Sequence, residues 1–230
     1  MIKAIVTDIE GTTSSLSFVQ DVLFPYARAH LAEFVQQHAD DPEVQGLLAM
    51  VSSEVGRKLD SAQTLAQLLE WIEQDKKVTP LKALQGLVWE EGYRQGAFTG
   101  HVYEDAARKM KAWHASGLRL YVYSSGSVHA QKLLFAHTEY DDLTPWFSGY
   151  FDTRIGSKRD VDSYRHIANA LQIPAEYLLF LSDLKEELDA AKQAGFKTIW
   201  LVRDGNLDPA AEHQQVQDFD QIEIVFSNDP

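Results

Sequence analysis

The chain has 230 residues, apolar and charged fractions of 45% and 24%, and a formal net charge of -13 with a pI near 5.0. That acidity excludes a nucleic-acid footprint, which needs clustered Lys and Arg, and disfavours docking on anionic membranes. With no cysteine, disulfides, thiolate metal sites and a cysteine nucleophile are excluded. We expect neither a signal peptide nor a membrane span, and therefore a cytoplasmic protein.

The first predicted element is a short buried strand over residues 2–7. It leads into Asp8-Ile9-Glu10-Gly11-Thr12-Thr13, in which one residue separates two carboxylates. A lone aspartate at such a place is most often a turn former or a helix cap. Two acids leaving one strand end can instead share a cation, because Mg²⁺ prefers one or two carboxylates together with water and phosphate oxygens. Alternatively, one acid attacks phosphorus and the other moves protons.

Four helical patterns follow without an intervening strand. Their predicted starts are Phe18 (with Pro25 as a kink or restart), Asp41-Pro42, Ser61 as a cap, and Thr79-Pro80 as cap and first-turn proline. An all-helical stretch of this size after a single strand predicts an inserted helical bundle. We therefore expect an α/β core made of residues 1–16 and 101–230, and a helical cap domain over 17–100.

From about residue 102 the pattern alternates between helices and strands. The predicted helices span 103–114, 128–135, 161–171 and 185–194. The predicted strands span 118–123, 177–181 and 197–202, with a further edge strand at 222–226. This alternation predicts the α/β class, with a doubly wound and mostly parallel sheet.

Three further polar clusters stand at places comparable with Asp8. Ser124-Ser125-Gly126-Ser127 follows one predicted strand, Ser182-Asp183 follows another, and Lys158 lies just before a helix. Each has an ordinary structural explanation, as a helix cap or a surface lysine. Parallel strands, however, gather distant residues at one edge of a sheet, and a hydroxyl at a helix start binds anions. The four clusters together therefore favour a magnesium-dependent phosphoryl-transfer site.

These clusters resemble the motifs of the haloacid dehalogenase superfamily: Asp-x-Glu-Gly-Thr, a strand followed by Ser-Ser, a lone lysine, and Ser-Asp-x-x-x-Glu. Within it, the chain resembles the enolase-phosphatase E1 family, the acireductone synthases of methionine salvage. The stretches that carry this closer resemblance are 8–13, 24–25, 84–86, 123–127 with 130–135, 151–153 with 155–158, and 179–183. Most superfamily members have an aspartate where this chain has Glu10, and the E1 family shares the glutamate.

The resemblance implies a monomer with one Mg²⁺ per chain. Its substrate would be a small phosphorylated diketone, 2,3-diketo-5-methylthiopentyl-1-phosphate, which is enolised and then dephosphorylated. The implied roles are nucleophile and metal ligand for Asp8, metal neighbour and candidate acid/base for Glu10, phosphate binding for Ser124, Ser125 and Lys158, and metal ligand for Asp183. Glu187, one helical turn further on, would either orient the metal site or face solvent. The helical insertion would act as a cap.

Other functions are compatible with these residues. A phosphatase of the same fold that acts on another phosphate ester would share every core residue, and only Glu10 and the stretch 123–127 with 130–135 argue against it. A receiver-like signalling module, phosphorylated on a strand-end aspartate, is the non-enzymatic alternative, but it has no helical insertion and needs about half this length. A haloacid dehalogenase proper would have little use for Asp183 and a metal.

Overall fold

The computed structural model describes residues 2–224, which form two compact units. One is an α/β unit, made of the described residues up to Leu16 and from Gly100 onward. The other is helical and spans Ser17–Thr99. Within residues 2–224, no helix is long and apolar enough to cross a membrane.

The helical unit is built from α-helices that share one apolar core. They are α1 (Phe24–Gln37), α2 (Pro42–Val55), α3 (Ser61–Glu73) and α4 (Thr79–Gln95). A π-helix, Phe18–Leu23, leads into α1, so the chain restarts as an α-helix beside Pro25. Leu31, Val51, Leu68 and Leu84 are fully buried in the shared core. The predicted bundle is therefore a packed unit with its own interior.

The starts of these helices differ in part from the prediction. Asp41 caps α2 as predicted, because its carboxylate accepts the Glu43 N–H at 2.8 Å. Ser61 is not the cap of α3, since Asp60 holds that position in a capping box with Gln63. Thr79 is not a cap either, because α4 already begins there and no side chain caps it.

The α/β unit contains a six-stranded sheet within its described residues. The strands are β1 (Ala4–Thr7), β2 (Arg119–Tyr123), β3 (Phe147–Phe151), β4 (Leu178–Ser182), β5 (Lys197–Leu201) and β6 (Gln214–Val216). Their order is β3-β2-β1-β4-β5-β6, and all neighbours are parallel. This confirms the predicted doubly wound sheet, in which the chain switches direction across β1 and β4.

The central strand β1 sets the geometry of the sheet's carboxyl edge. It is buried along its whole length, which its apolar sequence allows because parallel neighbours cover it on both sides. Thr7 pairs with Val122 of β2 and with Leu181 of β4. β2 and β4 each extend one residue beyond these pairs, so the first residues after β1, β2 and β4 lie within about one residue of the same level.

Further helices flank the sheet: α5 (Glu104–Ala115), α6 (Val128–Ala136), α7 (Val161–Leu171) and α8 (Lys185–Gln193). Tyr164 of α7 and Leu188 of α8 pack with Val6 and Phe180 of the sheet in one apolar cluster. These four helices lie within a residue or two of their predicted positions.

The sequence analysis predicts neither edge strand of this sheet. β3 contains Ser148 and Gly149, which have low strand propensity, and β6 is only three residues long. The edge strand predicted at 222–226 is wrong for residues 222–224, which form no strand. Its last two residues lie outside the described residues.

Candidate active site

The polar clusters that follow β1, β2 and β4 lie side by side at the carboxyl edge of the sheet. Asp8 is buried directly after β1, and its N–H donates to the Leu181 carbonyl at 2.9 Å. Ser124 is buried after β2, where its hydroxyl accepts the Gly126 N–H, and Ser125 beside it is half-buried. The strand register places both serines next to the loop that carries Asp8.

The loop after β1 folds tightly onto itself. The Ile9 carbonyl accepts the three N–H groups of residues 12–14, at 3.1, 2.9 and 2.8 Å. The hydroxyls of Thr7 and Thr13 both donate to the Asp8 carbonyl, at 2.9 and 3.1 Å. Main-chain and hydroxyl bonds therefore fix this loop, and the Asp8 carboxylate is left for other partners.

Gly11 is the point at which this loop meets Asp183. Its φ of +71° lies in the left-handed region that favours glycine. A Cβ at this position would collide with the Asp183 carboxylate. The glycine of the motif therefore satisfies two requirements, a backbone conformation and the close approach of a second acid to the Asp8 loop.

Gly11→Ala is expected to lower the rate of the phosphoryl transfer that the sequence predicts for this site about a hundredfold, because a displacement of the order of 1 Å at a reacting group has that cost. Gly117→Ala is the matched control, since Gly117 has a φ of +84° and open space around its Cβ position. Both variants have about 1 kcal/mol of backbone strain. Gly11→Ala must also displace the Asp183 carboxylate, so its melting temperature should fall at least as far as that of the control. Equal activity of the two variants would show that the Asp183 contact at Gly11 has no catalytic importance.

Lys158 is buried between two carboxylates. Its Nζ lies 2.6 Å from Asp8 Oδ1 and 2.7 Å from Glu187 Oε2, and its side chain is only 9% exposed. Burial alone would lower the pKa of Lys158, but the two carboxylates together hold that pKa above its usual value. Glu187 also accepts the Ser182 hydroxyl at 2.9 Å. Of the two alternatives for Glu187, solvent exposure is therefore excluded.

Three hydroxyl groups hold the main chain that presents Lys158. Residues 156–158 offer three consecutive carbonyls, and each accepts a different side-chain hydroxyl at 2.9, 2.7 and 2.7 Å. The donors, in that order, are Tyr123 of β2, and Ser163 and Tyr164 of α7. β2 and α7 therefore hold the main chain of residues 156–158 in place, and through it the position of the Lys158 ammonium group.

Asp183 lies close to other negatively charged groups. Burial and the neighbouring Asp8 carboxylate together raise the pKa of Asp183 to about 7. Burial and the same Asp8 carboxylate also raise the pKa of Glu187, against the effect of Lys158. Asp183 is not the cap of α8, because Leu184 holds that position. The helix-cap explanation of Asp183 is therefore excluded.

This donor set fits a hard divalent cation. Among residues 2–224, no group of three or more His, Cys, Asp or Glu side chains is arranged to hold a metal. Mg²⁺ does not need such a cage, because it is usually bound by one or two carboxylates and keeps several waters. Asp183 approaches the Asp8 loop at Gly11, and the Asp8 charge acts on it, so these two residues supply two carboxylates of that kind. A divalent charge would also favour the ionised form of Asp183.

Comparison with known proteins identifies the family of this chain. The chain matches the model of haloacid dehalogenase-like hydrolases over residues 2–195. It is 59% identical over 223 residues to the enolase-phosphatase E1 of Methylococcus capsulatus, covering 96% of this chain and 98% of that protein. The enolase-phosphatase E1 of Thioalkalivibrio sulfidiphilus is 59% identical over 219 residues, covering 95% and 98%.

The chain belongs to the enolase-phosphatase E1 family.

The chain is also similar to a solved structure over nearly its whole length. The UTR4 protein of Saccharomyces cerevisiae superposes with a TM-score of 0.83 at 34% identity, covering 96% of this chain and 100% of that one. As a member of the E1 family of hydrolases, this chain is a phosphatase enzyme, which excludes the receiver-like module. The family also implies a divalent metal and a small phosphorylated substrate.

Three side chains that the sequence analysis missed support the loops of the E1 site. Gln131 donates to the carbonyls of Gly126 and Phe151, at 2.8 and 2.9 Å. Trp200 donates to the Asp183 carbonyl at 2.8 Å, and Arg203 donates to a carbonyl of the Asp8 loop. Bonds to main-chain carbonyls leave no motif in the sequence. Of the three, only Gln131 could be found from the sequence, because it lies in the stretch 130–135 that carries the resemblance to the E1 family.

Proposed function

We propose that this protein is the bifunctional enolase-phosphatase of methionine salvage. It enolises 2,3-diketo-5-methylthiopentyl-1-phosphate and then releases inorganic phosphate, which gives 1,2-dihydroxy-3-keto-5-methylthiopentene. The observation that carries the proposal is the buried contact of Lys158 with both Asp8 and Glu187, in a chain of the E1 family. That contact joins three of the polar clusters around one candidate phosphate site.

In the phosphatase half, Asp8 is the proposed nucleophile. A carboxylate oxygen of Asp8 bonds to phosphorus as the bond from phosphorus to the ester oxygen breaks, and the departing oxygen takes up a proton. Water then attacks the aspartyl-phosphate, which releases phosphate and restores Asp8. Lys158 balances charge on the phosphoryl oxygens, while Ser124 and Ser125 bind the phosphate from the loop that precedes α6.

In the enolase half, a proton leaves the carbon that bears the phosphate ester, and the adjacent ketone oxygen gains one. Glu10 is our candidate for the group that moves these protons. It follows Asp8 by two residues on the same fixed loop, and it is half-buried rather than exposed. The short spacing from the proposed nucleophile supports this role for Glu10.

The proposed metal is one Mg²⁺ per chain. Asp8 and Asp183 would bind it through their carboxylates, and Glu10 would contribute beside them. When bound, it would stabilise negative charge on the enolate and on the phosphoryl oxygens. The close approach of Asp183 to the Asp8 loop at Gly11, and the raised pKa of Asp183 to which the Asp8 charge contributes, support this assignment.

The helical unit is the proposed cap domain, which would exclude water and bind the methylthio end of the substrate.

The proposal further takes the protein to be a monomer that acts in the cytoplasm on a small phosphorylated diketone, without nucleic-acid or membrane partners. Light scattering of the purified protein tests the monomer directly.

A phosphate-release assay tests the proposed function. With Mg²⁺, the purified protein should release phosphate from the diketone phosphate, and an absorbance change should report the enol before phosphate appears. Removing the metal with EDTA should abolish release, and added Mg²⁺ should restore it and also raise the melting temperature. A panel of common phosphate esters is the control. Faster turnover of a panel member than of the diketone phosphate would contradict the proposal in favour of another phosphatase.

A further inference from the structure

Arg203 lies just after β5, outside the four polar clusters, and binds the loop that carries Asp8. Its Nε and Nη2 donate to the Thr12 carbonyl, at 3.1 and 2.7 Å. The Arg203 side chain is only 10% exposed. Thr12 belongs to the tight turn closed on the Ile9 carbonyl. The guanidinium group therefore anchors this turn close to the proposed nucleophile.

Asp105 of α5 holds Arg203 in this position. Arg203 Nη1 donates to both oxygens of the Asp105 carboxylate, at 2.9 and 2.8 Å. Asp105 also accepts the Phe219 N–H at 2.8 Å. The guanidinium carbon lies 4.0 Å from the centre of the Tyr103 ring. All three guanidinium nitrogens are thus engaged, an arrangement that a single ammonium group cannot reproduce.

The same region joins two segments that lie far apart in the sequence. The Tyr103 N–H donates to the Thr13 carbonyl at 2.9 Å, and the Ser15 N–H donates to Nδ1 of His101 at 3.0 Å. Residues 12–15 are therefore bonded to residues 101–105 beside the guanidinium group. Arg203 adds a further support to the Asp8 loop through the Thr12 carbonyl.

We infer that Arg203 is a positioning residue for phosphoryl transfer, which keeps the Asp8 loop in the alignment that attack on phosphorus requires. The inference rests on the proposed role of Asp8. The proposed phosphate contacts of Ser124, Ser125 and Lys158 come from other loops. Loss of Arg203 should therefore reduce turnover much more than substrate binding.

R203M is the test variant, and R108M is its matched control. Arg108 also forms a two-pronged bond to a carboxylate, with Asp220 at 2.7 and 2.6 Å, but it is exposed and does not touch the Asp8 loop. R203M should lower kcat by about ten- to a hundredfold and change KM by less than about threefold. R108M should change neither value. A kcat of R203M within about twofold of the wild-type value would overturn the inference.

Chemical rescue separates positioning from stability. Guanidinium or methylguanidinium ions at low millimolar concentration should restore part of the kcat of R203A, while circular dichroism shows a folded protein. A kcat loss matched by an equal loss of folded protein, without rescue, would overturn the inference. If R203M does not fold, R203K replaces it, and a wild-type kcat in R203K would count equally against the positioning role.

The variants are assayed on the diketone phosphate and on p-nitrophenyl phosphate. A wild-type enzyme that hydrolyses only p-nitrophenyl phosphate would contradict the proposed substrate. The loss of kcat in R203M on that same ester would still support the positioning role. The two ideas can therefore fail separately.

Discussion

Asp8→Asn is expected to abolish phosphate release, with a fall in kcat of at least about a thousandfold. The amide oxygen cannot replace the carboxylate as a nucleophile toward phosphorus. The substitution keeps the shape of the side chain, and Lys158 keeps its contact with Glu187 at 2.7 Å. The variant should therefore stay folded, with a melting temperature close to that of the wild type. Phosphate release and thermal unfolding measured on the same samples check both expectations.

Asp162→Asn is the control for this experiment. Asp162 is an exposed aspartate of α7 that pairs with the exposed Arg165, so its loss should change neither turnover nor the melting temperature noticeably. Near-normal turnover of Asp8→Asn would rule out Asp8 as the nucleophile and would require another group to attack phosphorus.

Lys158→Met is expected to lower kcat/KM by about a hundred- to a thousandfold, because a charge donor to the phosphoryl group is lost. It should also lower the free energy of unfolding by about 3 kcal/mol, because Asp8 and Glu187 remain buried without their cation. Steady-state kinetics and denaturant unfolding measure the two effects separately. Unchanged kcat and KM would remove Lys158 from the site.

The double variant Lys158→Met/Glu187→Gln separates the two roles of this lysine. Removing the Glu187 charge should recover part of the lost stability, since fewer buried carboxylates are left unpaired. Activity should not recover, because the phosphate still has no ammonium partner. Recovery of activity together with stability would mean that Lys158 serves the fold alone.

The parts of this fold that the sequence reveals are those governed by local patterns. β1 is readable because a central parallel strand is buried on both faces and is therefore continuously apolar. α7 is readable because its apolar residues repeat with the helical period. β3 is not readable, since Ser148 and Gly149 interrupt the pattern and only pairing with β2 makes that segment a strand.

The candidate site likewise contains residues that the sequence reveals and residues that it does not reveal. The positions of Asp8, Ser124 and Asp183 could be predicted because each follows directly on a strand, and strand ends share an edge. The spacing of Glu187 left two outcomes open, and only the packing of α8 decides that it turns inward to Lys158. Arg203 was out of reach, because its partner Thr12 is 191 residues away in the sequence and no motif links the two.

The three hydroxyl–carbonyl bonds under residues 156–158 bear on any attempt to transplant this chemistry. A lysine introduced at the equivalent point of another doubly wound protein would supply the cation. It would lack the hydrogen bonds to the main-chain carbonyls that fix the position of the lysine here. Tyr123, Ser163 and Tyr164 would have to be moved with it as one module, together with the strand and helix that display them. An engineered site would therefore need residues 156–158 together with the side chains that bind their carbonyls, and not the lysine alone.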